Sequence, residues 1–467
     1  MTSYRLFLIV FFLPCPLLAS TQADDVDTYA AAFIDKHQIP GLSLVVVQDG
    51  KVVKAAGYGF ANLELHSPAT TETAWEIGSI TKHFTAEAVL LLVQDDKLGL
   101  GDTLGQHLDG VPPAWQPLTL RQLLTHTSGL KDWETEGLLN FHREYTDAEY
   151  IALMSPLALE FKPGERWSYT NTAYPLLGMV IARVSGKPYD EFVMERIFKP
   201  MGMGATRFSH PLEIVPHRAS GYVDEGGRLR KGEPLRPRIV EPNGAILTSV
   251  LDLAKWARAF EDDVLLKRES LIQMMTPGRL NDGSTFISGF GIFVTQFRGH
   301  RLFLHNGSTP GGFSSVFYHY PDDKLTVFVL CNIDRGDAVN KVATRVASFF
   351  VPGLDVRSLT EQTDPDPKTT RALLAMLHDL VDKKETILAS PEYKMSDVTR
   401  ARVAAQLGGL KRFAFLDREA RPKAADGTAQ SVPATLRYKL VGDKQTFYYT
   451  IQMTADGKVA ELDFEED

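Results

Sequence analysis

The sequence predicts an α+β fold: one antiparallel sheet flanked by helices, with an inserted helical subdomain, followed by a small C-terminal α+β unit. Three observations predict it. A hairpin pattern opens the chain at residues 42–47 and 51–56, turning at Asp49-Gly50. Strand patterns then stop, and residues 98–210 are dense in helical spacing, Pro and Gly. Strands return at 290–297, 301–305, 313–320 and 324–333, so both ends of the domain feed one sheet.

Composition sets the outer limits. At 467 residues, 44% hydrophobic and 23% charged, the chain suits one large domain plus a smaller one. A formal charge of -8, a pI near 5.9 and no concentrated Lys/Arg tract argue against a nucleic-acid binder. The expected partner is a small-molecule or peptide substrate. No nucleotide fingerprint or phosphate loop is present, because Gly307-Ser308-Thr309-Pro310-Gly311-Gly312 lacks Gly-Lys-Ser/Thr.

Taken in order, residues 1–23 read as an export signal: Arg5, an apolar run over 6–13, Pro14-Cys15-Pro16, then small residues around Ala19, Ser20 and Ala23. The run is short for a spanning helix. The expectation is an exported protein, periplasmic or secreted, starting near Asp24 and with no stable membrane span after cleavage. Only Cys15 and Cys331 occur, so no intrachain disulfide is expected once the signal is lost. Residues 25–37 read as a short helix and 337–350 as the helix closing a large first domain over 24–360. Two prolines among polar residues make 361–370 a linker. In the accessory unit, 371–467, helices are expected at 371–384 and 396–407, and strands at 413–417, 434–441, 446–454 and 459–464. No catalytic constellation is visible there.

The chemistry centres on Ser79-Ile80-Thr81-Lys82. Ile80, Phe84, Ala88 and Leu91 repeat at helical spacing, which places Ser79 in the first turn of a helix and Lys82 three residues on, on the same face. A hydroxyl beside an amine is a nucleophile with a base. Unpaired N–H groups at the helix start favour a developing oxyanion. Ser128-Gly129-Leu130-Lys131 shows the same spacing, but no amphipathic helix opens there; residues 124–130 read as a structural loop.

Two further pieces complete a site. Tyr169-Thr170-Asn171 offers a phenol whose pKa a nearby ammonium would lower, so that Tyr169 exchanges protons with the nucleophile and leaving group. Asn171 would donate to a substrate carbonyl and hold the lysine. In His305-Asn306-Gly307, at the end of a strand, Gly307 would let substrate lie against the backbone. The Ser308 N–H would join the Ser79 N–H as an oxyanion hole.

With these motifs in this order, the chain resembles the serine β-lactamases and penicillin-binding proteins, specifically the class C β-lactamase, D-Ala-D-Ala carboxypeptidase and esterase branch. The segments Leu123-Leu124-Thr125-His126-Thr127-Ser128-Gly129-Leu130 and Phe161-Lys162-Pro163-Gly164 look like that family's connections. The resemblance covers about residues 25–350 and implies a β-lactamase/transpeptidase-like fold. It also implies a two-step acyl transfer through Ser79, with Lys82 and Tyr169 catalytic and Asn171, His305, Gly307 and Ser308 substrate-binding, and neither cofactor nor metal. Ser-Asp-Asn is missing, so a class A deacylating glutamate is not transferred. The third motif carries histidine where β-lactam recognition goes with Lys-Thr-Gly; Lys368-Thr369-Thr370 lies in the linker and lacks the glycine. These departures point to an esterase, D-aminopeptidase or D-Ala carboxypeptidase with weak or no β-lactamase activity. Since histidine titrates near neutrality, protonated His305 would bind an anionic substrate group. The rivals are a true class C-like β-lactamase and a non-turnover sensor of β-lactams or cell-wall peptides. An α/β-hydrolase or zinc hydrolase is excluded by the lack of Gly-x-Ser-x-Gly and His-Glu-x-x-His.

Overall fold

The computed structural model describes residues 17–210, 212–233, 238–260, 263–384, 386–390, 393, 395–420, 434–454 and 456–466. Most of the expected export signal, residues 1–16, lies outside them. Helix α1 (Leu17–His37) starts eight residues before the helix expected at 25. Among the described residues no helix is long and apolar enough to cross a membrane.

The main sheet has seven antiparallel strands. They are β1 (Gly41–Gln48), β2 (Lys51–Asn62), β3 (Ser67–Pro68), β4 (Phe293–Phe297), β5 (His300–Thr309), β6 (Phe313–Tyr320) and β7 (Leu325–Cys331), in the spatial order β3-β2-β1-β7-β6-β5-β4. The early hairpin and the late strands therefore meet at β1 and β7, where Leu42 lies opposite Cys331 and Gln48 opposite Leu325. Period-two alternation divides the side chains between two cores. Val45, Val47, Phe317, Phe328 and Leu330 face α2 (Thr81–Gln94) and the helical insertion. Leu44, Val46, Val316, Val327 and Val329 face α1 and α4, while α3 (Ala173–Ser185) belongs to the insertion and α4 is Gly336–Phe350. Every residue of β7 is buried because helices cover both faces, which accounts for its unbroken apolar run. α2 is buried from Thr81 to Leu92, its polar Thr81, Lys82, His83, Thr85 and Glu87 included.

The C-terminal unit pairs α5 (Pro367–Val381) and α6 (Asp397–Gly408) with a four-stranded antiparallel sheet, β8 (Leu410–Ala420), β9 (Ala434–Gly442), β10 (Thr446–Met453) and β11 (Val459–Glu466). Its own apolar cluster includes Leu373, Leu377, Tyr438, Tyr449 and Ile451. α5 begins inside the stretch expected to be linker, because proline suits the first helical position and Asp366 caps it, accepting from the Thr369 N–H at 3.2 Å. Lys368-Thr369-Thr370 is thus helical.

Two expectations about the site strand are corrected. β5 does not end at His305 but continues to Thr309, pairing Gly307 with Ser315. Ser79 lies in a 3-10 turn, Gly78–Ile80, just before α2 and not within its first turn. One contact explains both. Gly78 has φ +50, and a Cβ there would stand 2.7 Å from the Ser308 nitrogen; a Cβ on Gly307 would stand 2.0 Å from the Ile77 oxygen. Two glycines let the turn and the strand lie backbone against backbone.

Candidate active site

The turn that carries Ser79 is tied down on both sides. Ile77 donates its N–H to the Ile246 carbonyl at 3.0 Å and accepts from Ser315 Oγ at 2.8 Å. Buried Glu76 accepts from Thr309 Oγ1 at 3.2 Å, at the far end of β5. Three residues on, Lys82 is fully buried. Its Nζ is 3.0 Å from Ser79 Oγ, 2.8 Å from Asn171 Oδ1 and 3.0 Å from the Asn243 carbonyl oxygen. Burial pulls its pKa down to about 7, against the opposing pull of Asp132 and Glu134. Asn171 Oδ1 and the Asn243 carbonyl only accept hydrogen bonds. A neutral amine satisfies both with its two hydrogens and keeps its lone pair for the Ser79 proton.

Tyr169 is brought to the same atom: its hydroxyl donates to Ser79 Oγ at 2.9 Å. The expected acidification is reversed, because burial, with the charges of Asp132 and Glu134 adding to it, pushes the phenol above its ordinary range. Tyr169 is a neutral donor here. Its ring packs 4.5 Å from that of His126, which accepts the Thr170 N–H at 3.2 Å. The loop over 124–130 thus supports the tyrosine motif from behind. Ser128 in that loop is fully buried, its Oγ accepting from Leu130 N–H at 3.3 Å, out of contact with the lysine.

Asn171 holds the lysine as expected, but its amide is not free for substrate. Nδ2 donates to Asp132 Oδ2 at 3.2 Å and Glu134 Oε2 at 2.9 Å, and its backbone N–H to Asp132 at 3.1 Å. Sequence reasoning missed Asp132, Glu134 and Asn243, which no motif marks. Burial, then Asp132, push the Glu134 carboxyl upward, and Asp334 adds to it.

His305 is corrected most strongly. It is buried, stacked 4.7 Å from Phe293, with Nδ1 2.6 Å from the Asn306 carbonyl oxygen. Burial and the neighbouring Lys82 lower its pKa to about 3, so it is uncharged at neutral pH and does not hold an anion as a cation. Its Nδ1 donates to that carbonyl, leaving Nε2 as an acceptor without a partner among the described residues. Gly307 serves the close contact with Ile77, a constraint its motif does not reveal. The Ser308 backbone lies against Gly78, next to the nucleophile turn, and its hydroxyl donates to Asp334 Oδ1 at 2.8 Å.

Comparison with known proteins places this geometry in context. A family model described as Beta-lactamase matches residues 26–349. Penicillin-binding protein 4* of Bacillus subtilis (strain 168) is 29% identical over 339 residues, covering 68% of this chain and 74% of that protein. Protein flp of Staphylococcus aureus (strain MW2) is 30% identical over 328 residues, covering 68% of this chain and 64% of its own length, just under two thirds. Among solved structures, the octameric penicillin-binding protein homologue from Pyrococcus abyssi superposes with a TM-score of 0.61 at 25% identity, over 95% of this chain and 96% of that one. D-amino acid amidase from Ochrobactrum anthropi SV3, complexed with L-phenylalanine amide, gives 0.61 at 25% identity, over 71% of this chain and 100% of that one.

Proposed function

The chain belongs to the β-lactamase family of serine hydrolases, and from that premise we propose that it is an exported acyl-transfer enzyme. Its substrates in this reading are esters, and amides or peptides with a free amino group near the scissile carbonyl, with weak or no β-lactamase activity. The observation that carries the reading is the bonding of Lys82, whose two obligate acceptors leave its lone pair on Ser79 Oγ. Lys82 takes the Ser79 proton as Oγ attacks the carbonyl. The N–H groups of Ser79 and Ser308 hold the oxyanion. Tyr169 protonates the leaving group as it departs, and the proton that Lys82 took from Ser79 returns to the Tyr169 phenolate. Water then resolves the acyl-enzyme by the reverse path.

The substrate class follows from charge. Asp132, Glu134 and Asp334 gather beside the site while His305 is uncharged and Lys82, drawn down to about 7, carries only part of its charge at neutral pH. An anionic rim repels the carboxylate of a β-lactam or a D-Ala-D-Ala peptide and favours an ammonium. The similarity to a D-amino acid amidase supports the same class. The division into a hydrolase domain over 24–360, a linker and a C-terminal accessory unit belongs to this proposal, as does export through residues 1–23.

One screen tests it: p-nitrophenyl esters, D-amino-acid amides and their N-acetyl counterparts, D-Ala-D-Ala peptides and nitrocefin, with Ser79→Ala, Ser128→Ala and Glu134→Gln. We expect esters and free-amine amides to turn over, with Ser79→Ala inactive but folded and Ser128→Ala active. N-acetylation should cost about tenfold in kcat/KM, or about 1.4 kcal/mol, and Glu134→Gln should shrink that penalty. Activity retained in Ser79→Ala defeats the assignment. Nitrocefin as the best substrate makes the protein a β-lactamase, and persistent acylation of Ser79 without turnover makes it a sensor.

A further inference from the structure

The amide of Asn171 can serve Lys82 in only one of its two orientations. The two ends of an amide have nearly the same shape, and the neighbours decide which is oxygen. On one side Oδ1 accepts from Lys82 Nζ at 2.8 Å. On the other, Nδ2 meets Asp132 Oδ2 at 3.2 Å and Glu134 Oε2 at 2.9 Å, and carboxylates only accept. A flipped amide would set its oxygen against two carboxylates and aim an N–H at the lone pair that is to take the Ser79 proton. Glu134 is exposed, so its side chain has room to turn away. Asp132 is pinned. Its Oδ2 also takes the Asn171 backbone N–H at 3.1 Å, and its Oδ1 takes the Glu134 N–H at 2.9 Å. The segment that carries it is stitched to the tyrosine motif as well: the Lys131 carbonyl accepts from Thr172 Oγ1 at 2.6 Å, and Thr172 Oγ1 in turn accepts the Trp133 N–H at 3.0 Å.

We propose that Asp132 is a positioning residue: one carboxylate oxygen, holding both the side-chain amide and the backbone N–H of Asn171, fixes Oδ1 toward Lys82 and so leaves the lysine lone pair to Ser79. Among the described residues Asp132 bonds neither Lys82 nor Ser79, so it acts through Asn171. Its charge has a second effect. The rings of Tyr169 and Tyr174 lie 4.9 and 5.4 Å from Nζ, and burial keeps His126 and His305 uncharged. Asp132 and Glu134 are then the groups whose charge holds the lysine pKa up against burial. Removing Asp132 lets that pKa fall further, and an amide turned to donate toward the lysine works in the same direction.

The kinetic consequence rests on the acyl-transfer reading, whereas the orientation of the amide does not, so the test has two arms. Asp132→Ala removes both oxygens at a half-buried position where water can reach the freed N–H groups; Asp132→Asn still offers one oxygen. In the first arm the side-chain NH2 of isotope-labelled Asn171 is followed by NMR, its signals assigned by their loss in Asn171→Ala. Its hydrogens should exchange with solvent about tenfold faster in Asp132→Ala, and less so in Asp132→Asn. In the second arm, on a neutral p-nitrophenyl ester, kcat should fall about tenfold in Asp132→Ala with KM little changed, and about threefold in Asp132→Asn. The acidic limb of the rate should move below pH 7 in both, a shift that a merely loosened fold would not produce. In an Asn171→Ala background Asp132→Ala should cost less than about twofold, because the residue it acts through is gone. Unchanged NH2 exchange in both variants overturns the lock, whatever the protein hydrolyses. Faster exchange with kcat unchanged, or with the full loss persisting in Asn171→Ala, keeps the hold on the amide and refutes its part in catalysis. Activity retained in Ser79→Ala defeats the acyl-transfer reading and leaves the lock to be decided by exchange. If Asp132→Ala fails to fold, Asp132→Asn decides on the same readouts.

Discussion

Lys82 shows how burial and bonding combine in one residue. An ammonium there would have three acceptors at 2.8–3.0 Å yet no carboxylate in direct contact. Desolvation outweighs the more distant Asp132 and Glu134, and its pKa settles at about 7. The sign for catalysis follows directly. In the proposed mechanism Lys82 acts as a neutral base, so kcat/KM should rise about tenfold per pH unit below pH 7 and level off above it. Tyr169, pushed above its ordinary range, should add no falling limb below about pH 10. His305, held at about 3, should add none between 5 and 8. A pH–rate profile of His305→Asn checks this: the limb near 7 should persist, and its disappearance would give the titration to the histidine. For stability, the unfolded lysine still holds its proton between about 7 and its ordinary range while the folded one has released it. This group's contribution to stability therefore rises with pH across that window.

At the scale of elements, the site depends on strand β5 lying flush against the Gly78–Ile80 turn. Gly307→Ala should show how tight that fit is. Its methyl would meet the Ile77 carbonyl at 2.0 Å, and backbone cannot move aside as a flexible side chain can. The expected cost is about 2 kcal/mol of stability, with a loss of kcat as β5 retreats from Ser79. Gly336→Ala, whose Cβ would meet nothing within 4 Å, is the control and should be near neutral. Thermal melts and ester hydrolysis of the pair check it; equal behaviour would show that the contact is slack. Sequence pattern located these elements well where alternation is regular: the strand expected at 313–320 is β6 as observed. It misplaced boundaries where a long-range contact decides them. β5 passes His305 because of Ile77, and Ser79 leaves the helix because Ser308 fixes Gly78.

Over the whole molecule, stability comes from two cores on opposite faces of one sheet and a third in the C-terminal unit. Cys331, the one cysteine among the described residues, is buried in β7. Its thiol, which burial pushes up to about 12, donates to the Ile333 carbonyl. Adding reductant should therefore leave the unfolding midpoint unchanged in a calorimetric scan, and a fall would reveal a disulfide. The sequence by itself determined the α+β class, the hairpin at Asp49-Gly50, the helix behind Ser79 and which of the two Ser-x-x-Lys serines stands at a helix start. These are written in short-range periodicity and spacing, and burial of one face suffices to enforce them. Only the tertiary structure decided which groups carry charge and what braces them. Lys82 finds Asn243 161 residues away and Asn171 finds Asp132 39 residues away. The pKa values of Lys82, Tyr169 and His305 are set mainly by the water that packing removes, and that removal depends on neighbours that no local pattern encodes.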